Sequence, residues 1–130
     1  MRYLLDTNVV VWYFDGKKLL RPKIKKIIDD PDNKVYVSIV SVWEIVVKLC
    51  VNKLNVSFTI DHLIESIKSR DFTLLPVKQK HLNANLKLPL IHGDPFDRLL
   101  IATSISEKLT FITSDKENQK YNVEWEWKNK

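Results

Sequence analysis

The sequence predicts an α/β fold in which a parallel sheet is covered by helices on both faces. Short apolar runs rich in β-branched residues alternate with longer segments of helical periodicity, a pattern typical of βαβ units. The chain has 130 residues, 45% of them hydrophobic, which suits a single core. Only two glycines occur, so no flexible linker is expected. We therefore predict a single domain over residues 1–130.

Strands and helices are expected to alternate along the chain. The strands are predicted at 2–5, 35–39, 73–77, 110–113 and 123–125. A short helix is expected after Asn8, and longer helices at 17–30, 42–49, 60–69, 78–86 and 95–108. The closing residues 128–130 are predicted to be a frayed tail.

Composition narrows the classes of function. The chain carries 21 Lys and Arg against 16 Asp and Glu, a net charge of +5, which favours approach to a polyanion but is common in ordinary proteins too. The single cysteine, Cys50, cannot form an intrachain disulfide and is predicted to pack in an apolar helix. The apolar N-terminal run is broken by Asp6 and is too short to cross a bilayer, so we expect a cytoplasmic protein with no membrane partner. The absence of a Gly-rich phosphate loop disfavours nucleotide-cradling enzymes.

Two acidic residues come directly after predicted strands. Asp6 ends the run YLLD, and Asp115 follows FITS. The reactive site of an open α/β sheet lies beyond the carboxyl ends of its strands, which makes both residues candidates. Taken singly, each is explained equally well as a helix N-cap or turn residue, because Asp is favoured in both roles.

Two further acids lie at predicted helix starts. Glu44 belongs to Ser41-Val-Trp-Glu44, which fits a capping box in which the glutamate reaches back to the serine amide. Asp97 belongs to Asp94-Pro95-Phe-Asp97, which fits a helix with Asp94 as N-cap and proline at its first position. Local structure alone could therefore explain these acids as well.

Local explanations leave one coincidence unexplained, because four connections on the same rim of the predicted sheet each carry an acid. These acids are Asp6, Glu44, Asp97 and Asp115. Crowded carboxylates repel one another, and a hard cation with oxygen ligands, such as Mg²⁺ or Mn²⁺, usually resolves the repulsion. The histidines His62, His81 and His92 are scattered without zinc-ligand spacing, and we interpret each as a surface or capping residue.

The acids lie in four blocks that resemble the motif blocks of PIN-domain proteins. The blocks are LLDTN at 4–8, SVWEIVVK at 41–48, HGDPFDRLLIATS at 92–104 and TSD at 113–115. The second and third blocks especially resemble the VapC branch, the toxins of type II toxin-antitoxin pairs. The resemblance runs from residue 2 to about residue 121, and DPFDRLLIA is its specific part.

The resemblance implies a PIN-like three-layer α/β/α sandwich around a central parallel sheet. It also implies an acidic pocket that binds Mg²⁺ or Mn²⁺ and hydrolyses RNA, with a cognate antitoxin and a homodimer as further partners. The catalytic and metal-site carboxylates would be Asp6, Glu44, Asp97 and Asp115. Asp94 would be an additional acid, and Thr7, Asn8 and Thr113 would orient the acids from behind.

Several positions near the acids bear on the substrate. Gly93 stands where relatives often carry a basic or polar residue. Asn118 stands where an aromatic residue is common, and this difference is expected to loosen the edge of the pocket. Arg98 and Lys48 are candidate contacts for RNA phosphates, although each equally fits a solvated helix face.

Two other hypotheses belong to different classes. A degenerate PIN module would bind RNA or a partner without cutting, but the presence of all four acids argues against it. A receiver-like phosphoacceptor domain needs an acidic pair after the first strand and an aspartate after the third. The chain has a single acid in DTN and Leu75-Pro76-Val77 at the third strand, so this hypothesis is disfavoured.

The aromatic content predicts self-association. Trp12, Tyr13, Phe14 and Trp43 together offer more aromatic surface than a core of this size easily absorbs, and exposed apolar patches mark interfaces. The alternative is that most of these rings belong to the core.

Overall fold

The protein is described by a computed structural model that covers residues 1–127. Five strands form one sheet: β1 (Arg2–Leu5), β2 (Lys34–Ser38), β3 (Thr73–Leu75), β4 (Thr110–Ile112) and β5 (Trp125–Glu126). Their order across the sheet is β3-β2-β1-β4-β5, and every pairing is parallel. The predicted strands are confirmed, with β3 shorter than expected and β5 placed later. The predicted frayed tail at 128–130 lies outside the described residues.

Six helices connect the strands: α1 (Thr7–Phe14), α2 (Pro22–Asp29), α3 (Ile39–Cys50), α4 (Ile60–Ser69), α5 (Gln79–Leu86) and α6 (Pro95–Glu107). A single 3₁₀ turn follows at Asn118–Lys120. None of the helices within residues 1–127 is long and apolar enough to cross a membrane.

Each face of the sheet has its own core. Tyr3 and Leu5 of β1 pack on one face with α1, α2 and α4. Leu4, which lies between them in sequence, packs on the other face with Leu100 and Ile101 of α6. Successive side chains of a strand point to opposite faces, so β1 is buried from both sides. The arrangement confirms the three-layer α/β/α sandwich.

The strand order places the candidate site and excludes one hypothesis. The chain winds from β1 to β2 and β3 on one side, then returns to β4 and β5 on the other. The order differs from the 2-1-3-4-5 order of the receiver domain CheY, so the receiver-like hypothesis is wrong. The crevice at the carboxyl ends of β1 and β4, where the winding reverses, is the expected place for a site.

Two helix starts differ from the prediction. Helix α2 begins at Pro22 rather than at residue 17, because the residue before a proline is held extended and Arg21 has that conformation. Helix α3 begins at Ile39 because Ser38 caps it, its Oγ accepting a hydrogen bond from the Val40 amide at 3.0 Å. The predicted capping box at residues 41–44 is therefore wrong.

Burial corrects the expectation for Cys50 and adds to those for His81 and the aromatic residues. Cys50, predicted to pack in the helix, is exposed. His81, predicted at the surface or in a cap, is buried, although its Nδ1 does accept a hydrogen bond from the Lys78 amide at the start of α5. Among the aromatic residues, Tyr13 is buried and Trp43 is 57% exposed.

Candidate functional site

Asp6 is the buried centre of the candidate site. It follows β1 and caps α1, with its Oδ1 accepting a hydrogen bond from the Thr7 amide at 2.7 Å. Its Oδ2 accepts a hydrogen bond from Thr113 Oγ1 at 2.7 Å, and the Asn118 amide lies 3.4 Å from the same oxygen. The N-cap role predicted for Asp6 is confirmed. Its carboxylate also accepts hydrogen bonds from residues in three segments of the chain.

The predicted supporting residues divide into two groups. Thr7 and Thr113 contact Asp6 directly, and the Thr7 hydroxyl also donates to Ser41 Oγ at 3.1 Å. This contact ties the first turn of α1 to the buried side of α3. Asn8 is exposed, and none of the hydrogen bonds found in residues 1–127 joins it to the acids.

Asp97 is an acid whose charged form is strongly disfavoured. It lies in the first turn of α6, where Asp94 caps the helix by accepting hydrogen bonds from the amides of Phe96 and Asp97 at 2.9 and 3.1 Å. Burial and the charges of Asp6, Asp94 and Glu44 raise the pKa of Asp97 to about 8, against a hydrogen bond from Asn118 that lowers it.

The pKa of Asp6 is raised as well. Burial raises it to about 6, while the hydrogen bonds from Thr113 and Thr7 oppose the shift and the charges of Glu44 and Asp115 add to it. The acids therefore lie within electrostatic reach of one another, as expected if they share one site.

Glu44 is buried on α3 and only half satisfied. Its Oε2 pairs with Lys48 Nζ at 2.9 Å. Its Oε1 is buried and makes no hydrogen bond. A buried carboxylate oxygen without a partner carries a substantial desolvation cost, and an added cation or donor would offset it.

Lys48 acts as a counterion for the acids. Burial alone would lower the pKa of its ammonium, but the hydrogen bond to Glu44 and the charges of Glu44, Asp94 and Asp97 outweigh burial and raise the pKa. Of the two predicted phosphate contacts, Lys48 therefore pairs with an acid. Arg98 is also engaged, since it donates to Pro89 O at 2.8 Å and to Tyr121 Oη at 3.1 Å.

Asp115 lies on the rim of the site. It is exposed, and its Oδ1 accepts a hydrogen bond from the Glu117 amide at 2.9 Å. Its own amide donates to Thr113 Oγ1 at 3.2 Å. The turn role foreseen for Asp115 is confirmed, and its charge nevertheless reaches Asp6.

Asn118 and His92 are site residues that the sequence did not reveal. Asn118 is fully buried, and its amide lies 3.4 Å from both Asp6 Oδ2 and Thr113 Oγ1. His92 Nε2 lies 2.6 Å from Asn118 Oδ1. The expectation that Asn118 loosens the pocket edge is therefore wrong, because it joins the β4 loop to Asp6. The sequence feature that could have indicated Asn118 is its position three residues after Asp115, in the same loop.

The carboxylate oxygens of the acids suit a hard cation, although the acids among the described residues do not converge on one point. Within residues 1–127, no three Asp, Glu, His or Cys side chains converge closely enough to hold a metal ion as they stand. The residues nevertheless fit such an ion, because the unpartnered Glu44 Oε1 and the disfavoured charges of Asp6 and Asp97 would all be stabilised by a cation.

These features define a class of protein: an α/β/α sandwich with interacting acidic side chains at the carboxyl ends of its central parallel strands. The family model described as PIN domain matches residues 3–123. The chain therefore belongs to the PIN domain family. A comparison with curated protein sequences found no significant match.

Solved structures share the fold at low sequence identity. VapBC2 from Rickettsia felis, bound to a DNA fragment from their promoter, superposes with a TM-score of 0.74 at 17% identity, covering 97% of this chain and 98% of that one. VapBC-1 from nontypeable Haemophilus influenzae gives 0.66 at 14% identity and 97% of each chain. FitAcB from Neisseria gonorrhoeae gives 0.60 at 21% identity and 89% of each chain. Identities this low establish the fold alone.

Proposed function

We propose that this chain is a divalent-metal-dependent endoribonuclease, built as one PIN-like domain over residues 1–130 and acting in the cytoplasm. The observation that carries the proposal is the buried, unpartnered Glu44 Oε1, within electrostatic reach of two acids, Asp6 and Asp97, whose pKa values burial raises. A structural role does not account for the unpartnered Glu44 Oε1, because a buried carboxylate oxygen without a hydrogen bond costs stability.

The proposed ligands are the four acids, with Asp94 as an additional carboxylate at the rim. They are Asp6, Glu44, Asp97 and Asp115. Bound Mg²⁺ or Mn²⁺ would supply an activated water and would stabilise the leaving oxygen of the phosphodiester. The chain itself holds the acids in place: Thr7, Thr113 and Asn118 fix Asp6 through hydrogen bonds. No serine, cysteine or histidine nucleophile is assigned.

The test is cleavage of an end-labelled RNA with and without Mn²⁺. Replacing Asp97 by Asn removes the charge with little change of shape, so we expect cleavage to be abolished while the fold persists. Asp6→Asn should do the same, because asparagine also caps helices and the α1 start would be kept. Asp32→Asn makes the same chemical change at an exposed turn and should leave cleavage intact.

Binding of Mn²⁺ gives a second readout that does not need activity. The melting temperature of the wild type should rise with Mn²⁺, since a ligand that binds only the folded state stabilises it. Full cleavage by Asp97→Asn would rule out the proposed ligands. A wild type that binds RNA but cleaves none at any Mn²⁺ concentration would favour the non-cutting PIN module.

We further propose that the chain is the toxin of a type II toxin-antitoxin pair. The support is its likeness in fold to structures of VapBC and FitAB complexes and of a toxin-antitoxin complex from Klebsiella pneumoniae. Lys48 already pairs with Glu44, which shows that the acids accept a cationic side chain. An antitoxin should silence the enzyme by placing an Arg or Lys against the same acids.

The antitoxin proposal is tested on the complex. Replacing the pocket-facing Arg or Lys of the antitoxin by Ala should weaken binding modestly and let cleavage reappear at high Mg²⁺. An altered antitoxin that inhibits fully at every metal concentration would show that inhibition does not act through the acids.

We also propose that the chain forms a homodimer, through a surface other than the one first expected. Tyr13 is buried, and Trp12 and Phe14 pack against the core, so three of the four expected rings are largely unavailable. Trp43 is 57% exposed, but its ring contacts that of Phe96, with the centroids 4.7 Å apart. Exposed leucines on α5 and the loop after it offer a better surface, with Leu86 88% and Leu90 87% exposed. A contiguous apolar surface of this kind is typical of an interface.

A further inference from the structure

A groove of about 570 Å³ lies beside the Asp115 loop, within the range of about 300–1,000 Å³ typical of ligand sites. The end of α1, the turn before α2, the loop after β4 and strand β5 form its walls. Three of the chain's four tryptophans line it: Trp12, Trp125 and Trp127. We call this feature the tryptophan groove.

The three rings differ in how firmly the core holds them. The Trp12 and Trp127 ring centroids lie 5.9 Å apart with a tilt of 56°, and both rings pack against the core. They therefore form a fixed wall. Trp125 belongs to β5 at the edge of the sheet and is 44% exposed. Trp125 is therefore the most exposed of the three tryptophans and offers the most area to a planar ligand.

Cationic side chains stand among the rings. Lys18, Arg21 and Lys116 all line the tryptophan groove. The guanidinium of Arg21 lies 5.5 Å from the Trp127 ring centroid, in the range of a cation–π contact. Aromatic rings interleaved with basic side chains suit a flexible polyanion with planar groups, because the rings stack on bases while the cations hold phosphates.

The tryptophan groove adjoins Asp115 in sequence. Ser114 and Lys116, which flank Asp115, both line it. A strand of nucleic acid that contacts Asp115 is therefore one residue along the chain from two groove residues. An apolar peptide would use the rings but would bring no charge to meet Lys18 and Lys116, so the charges favour a nucleic acid.

We propose that the tryptophan groove binds the unpaired nucleotides that flank the cleaved bond. The proposal rests on the ribonuclease function proposed above. One base stacks on Trp125, and Lys18 and Lys116 contact the phosphates on either side of it. The enzyme thereby selects single-stranded over duplex RNA, because a paired base has no free face for the ring.

Binding is tested without cleavage, by fluorescence anisotropy with a labelled ten-nucleotide oligouridylate, in EDTA and in an Asp97→Asn background. Adding Trp125→Ala should weaken affinity about fivefold or more, whereas Trp125→Phe, which retains a stacking ring, should stay within about twofold. A duplex of the same length should bind more weakly than the single strand. Circular dichroism and melting temperature of each variant report whether the fold is kept.

The contribution of charge is tested separately with a matched pair of lysines. Lys116→Gln should reduce the slope of log affinity against log salt by about 0.7, the value for one phosphate contact on a single strand. Lys68→Gln removes an exposed lysine from α4, away from the groove, and should leave the slope unchanged.

The outcomes separate this proposal from the function on which it rests. If the Trp125 variants bind the oligonucleotide like their parent while the wild type cleaves RNA, the groove proposal fails and the nuclease stands. If Trp125→Ala weakens binding but the wild type never cleaves, the groove stands and the nuclease fails. If Trp125→Ala spares RNA affinity but weakens the antitoxin complex, the groove is a protein site and the proposal is overturned. A wild type that neither binds nor cleaves RNA overturns both.

Discussion

His92 holds the side-chain amide of Asn118 in one orientation. The amide of Asp94 donates to His92 Nδ1 at 3.3 Å, so the ring proton is on Nε2, which donates to Asn118 Oδ1 at 2.6 Å. The NH₂ end of Asn118 must then face Asp6, where it lies 3.4 Å from Oδ2. A flipped amide would place its oxygen next to Asp6 Oδ2. Both oxygens carry negative charge, partial on the amide, so they would repel each other.

Removing this support should weaken metal binding at the proposed site without removing a proposed ligand. We expect His92→Ala to lower Mn²⁺ affinity by about tenfold, since partners behind the ligands typically contribute 10- to 100-fold. Isothermal titration with Mn²⁺ measures this directly. His62→Ala, at an exposed position of α4, is the matched control. Equal affinities in His92→Ala and the wild type would show that Asn118 needs no such support.

The crowded acids should make the metal-free protein less stable than one with fewer charges. We expect Asp97→Asn to raise the melting temperature in EDTA by about 2–8 °C, the shift that corresponds to roughly 1 kcal/mol in a domain of this size. The reason is relief of the repulsion from Asp6, Asp94 and Glu44. Asp32→Asn should not change the melting temperature, and a lower value for Asp97→Asn would contradict the repulsion.

The ion pairs at the end of α6 should make stability depend on pH. A hydrogen bond from His81 and the ammonium groups of Lys80 and Lys78, opposed by burial, lower the pKa of Glu107 from 4.5 to about 2. A carboxylate with a lowered pKa in the folded state stabilises the fold fully above about pH 4.5, and the contribution is lost as the pH falls toward 2.

Glu107→Gln isolates this contribution. We expect it to cost about 1–3 kcal/mol at pH 7, since the hydrogen bonds lost involve a charged group. The difference from the wild type should shrink as the pH is lowered from 5 to 2.5, measured by urea unfolding. Glu65→Gln, on the exposed face of α4, should show no such trend. A difference that stayed constant down to pH 2.5 would mean that the charge of Glu107 does not act in this way.

The exposed leucines should govern the oligomeric state. Leu82, Leu86 and Leu90 are 51%, 88% and 87% exposed, and Leu82 and Leu86 lie one turn apart on α5. We expect Leu86→Asp to convert a dimer to a monomer at about 50 μM protein, because a charge in an apolar interface is costly. Light scattering measures the mass. Val51→Asp changes another exposed apolar residue and should leave the dimer intact, and a dimeric Leu86→Asp would place the interface elsewhere.

The order and type of the elements were predictable because periodicity and helix-capping chemistry agree along most of the chain. Helix α6 is the clearest case, since Asp94 caps it and Pro95 occupies its first position, as the sequence indicated. Helix α3 shows the limit of such reasoning. Two serines precede Glu44, and only the tertiary structure decides that Ser38 is the cap, because Ser41 is drawn into the buried contact with Thr7.

The position of Asp6 at the carboxyl end of β1 was predictable, but the residues that hold its side chain were not all predictable. Asp6 comes directly after a strand, so its position on the rim follows from topology alone. His92 and Asn118 lie 26 residues apart in sequence, and no local pattern relates them. Their contact depends on how the start of α6 packs against the β4 loop, and such a contact leaves no periodic pattern in the sequence. The sequence therefore identifies Asn118 only as a departure from a family pattern.

The ion pair between Lys48 and Glu44 changes what a metal affinity would mean for this protein. The two residues lie one helical turn apart, with Nζ 2.9 Å from Oε2. The ammonium is therefore a tethered competitor, and its effective concentration is set by the helix and not by the buffer. A divalent ion that binds Glu44 Oε2 must displace the Lys48 ammonium. The measured dissociation constant of that ion therefore reports its competition with the Lys48 ammonium, rather than with water.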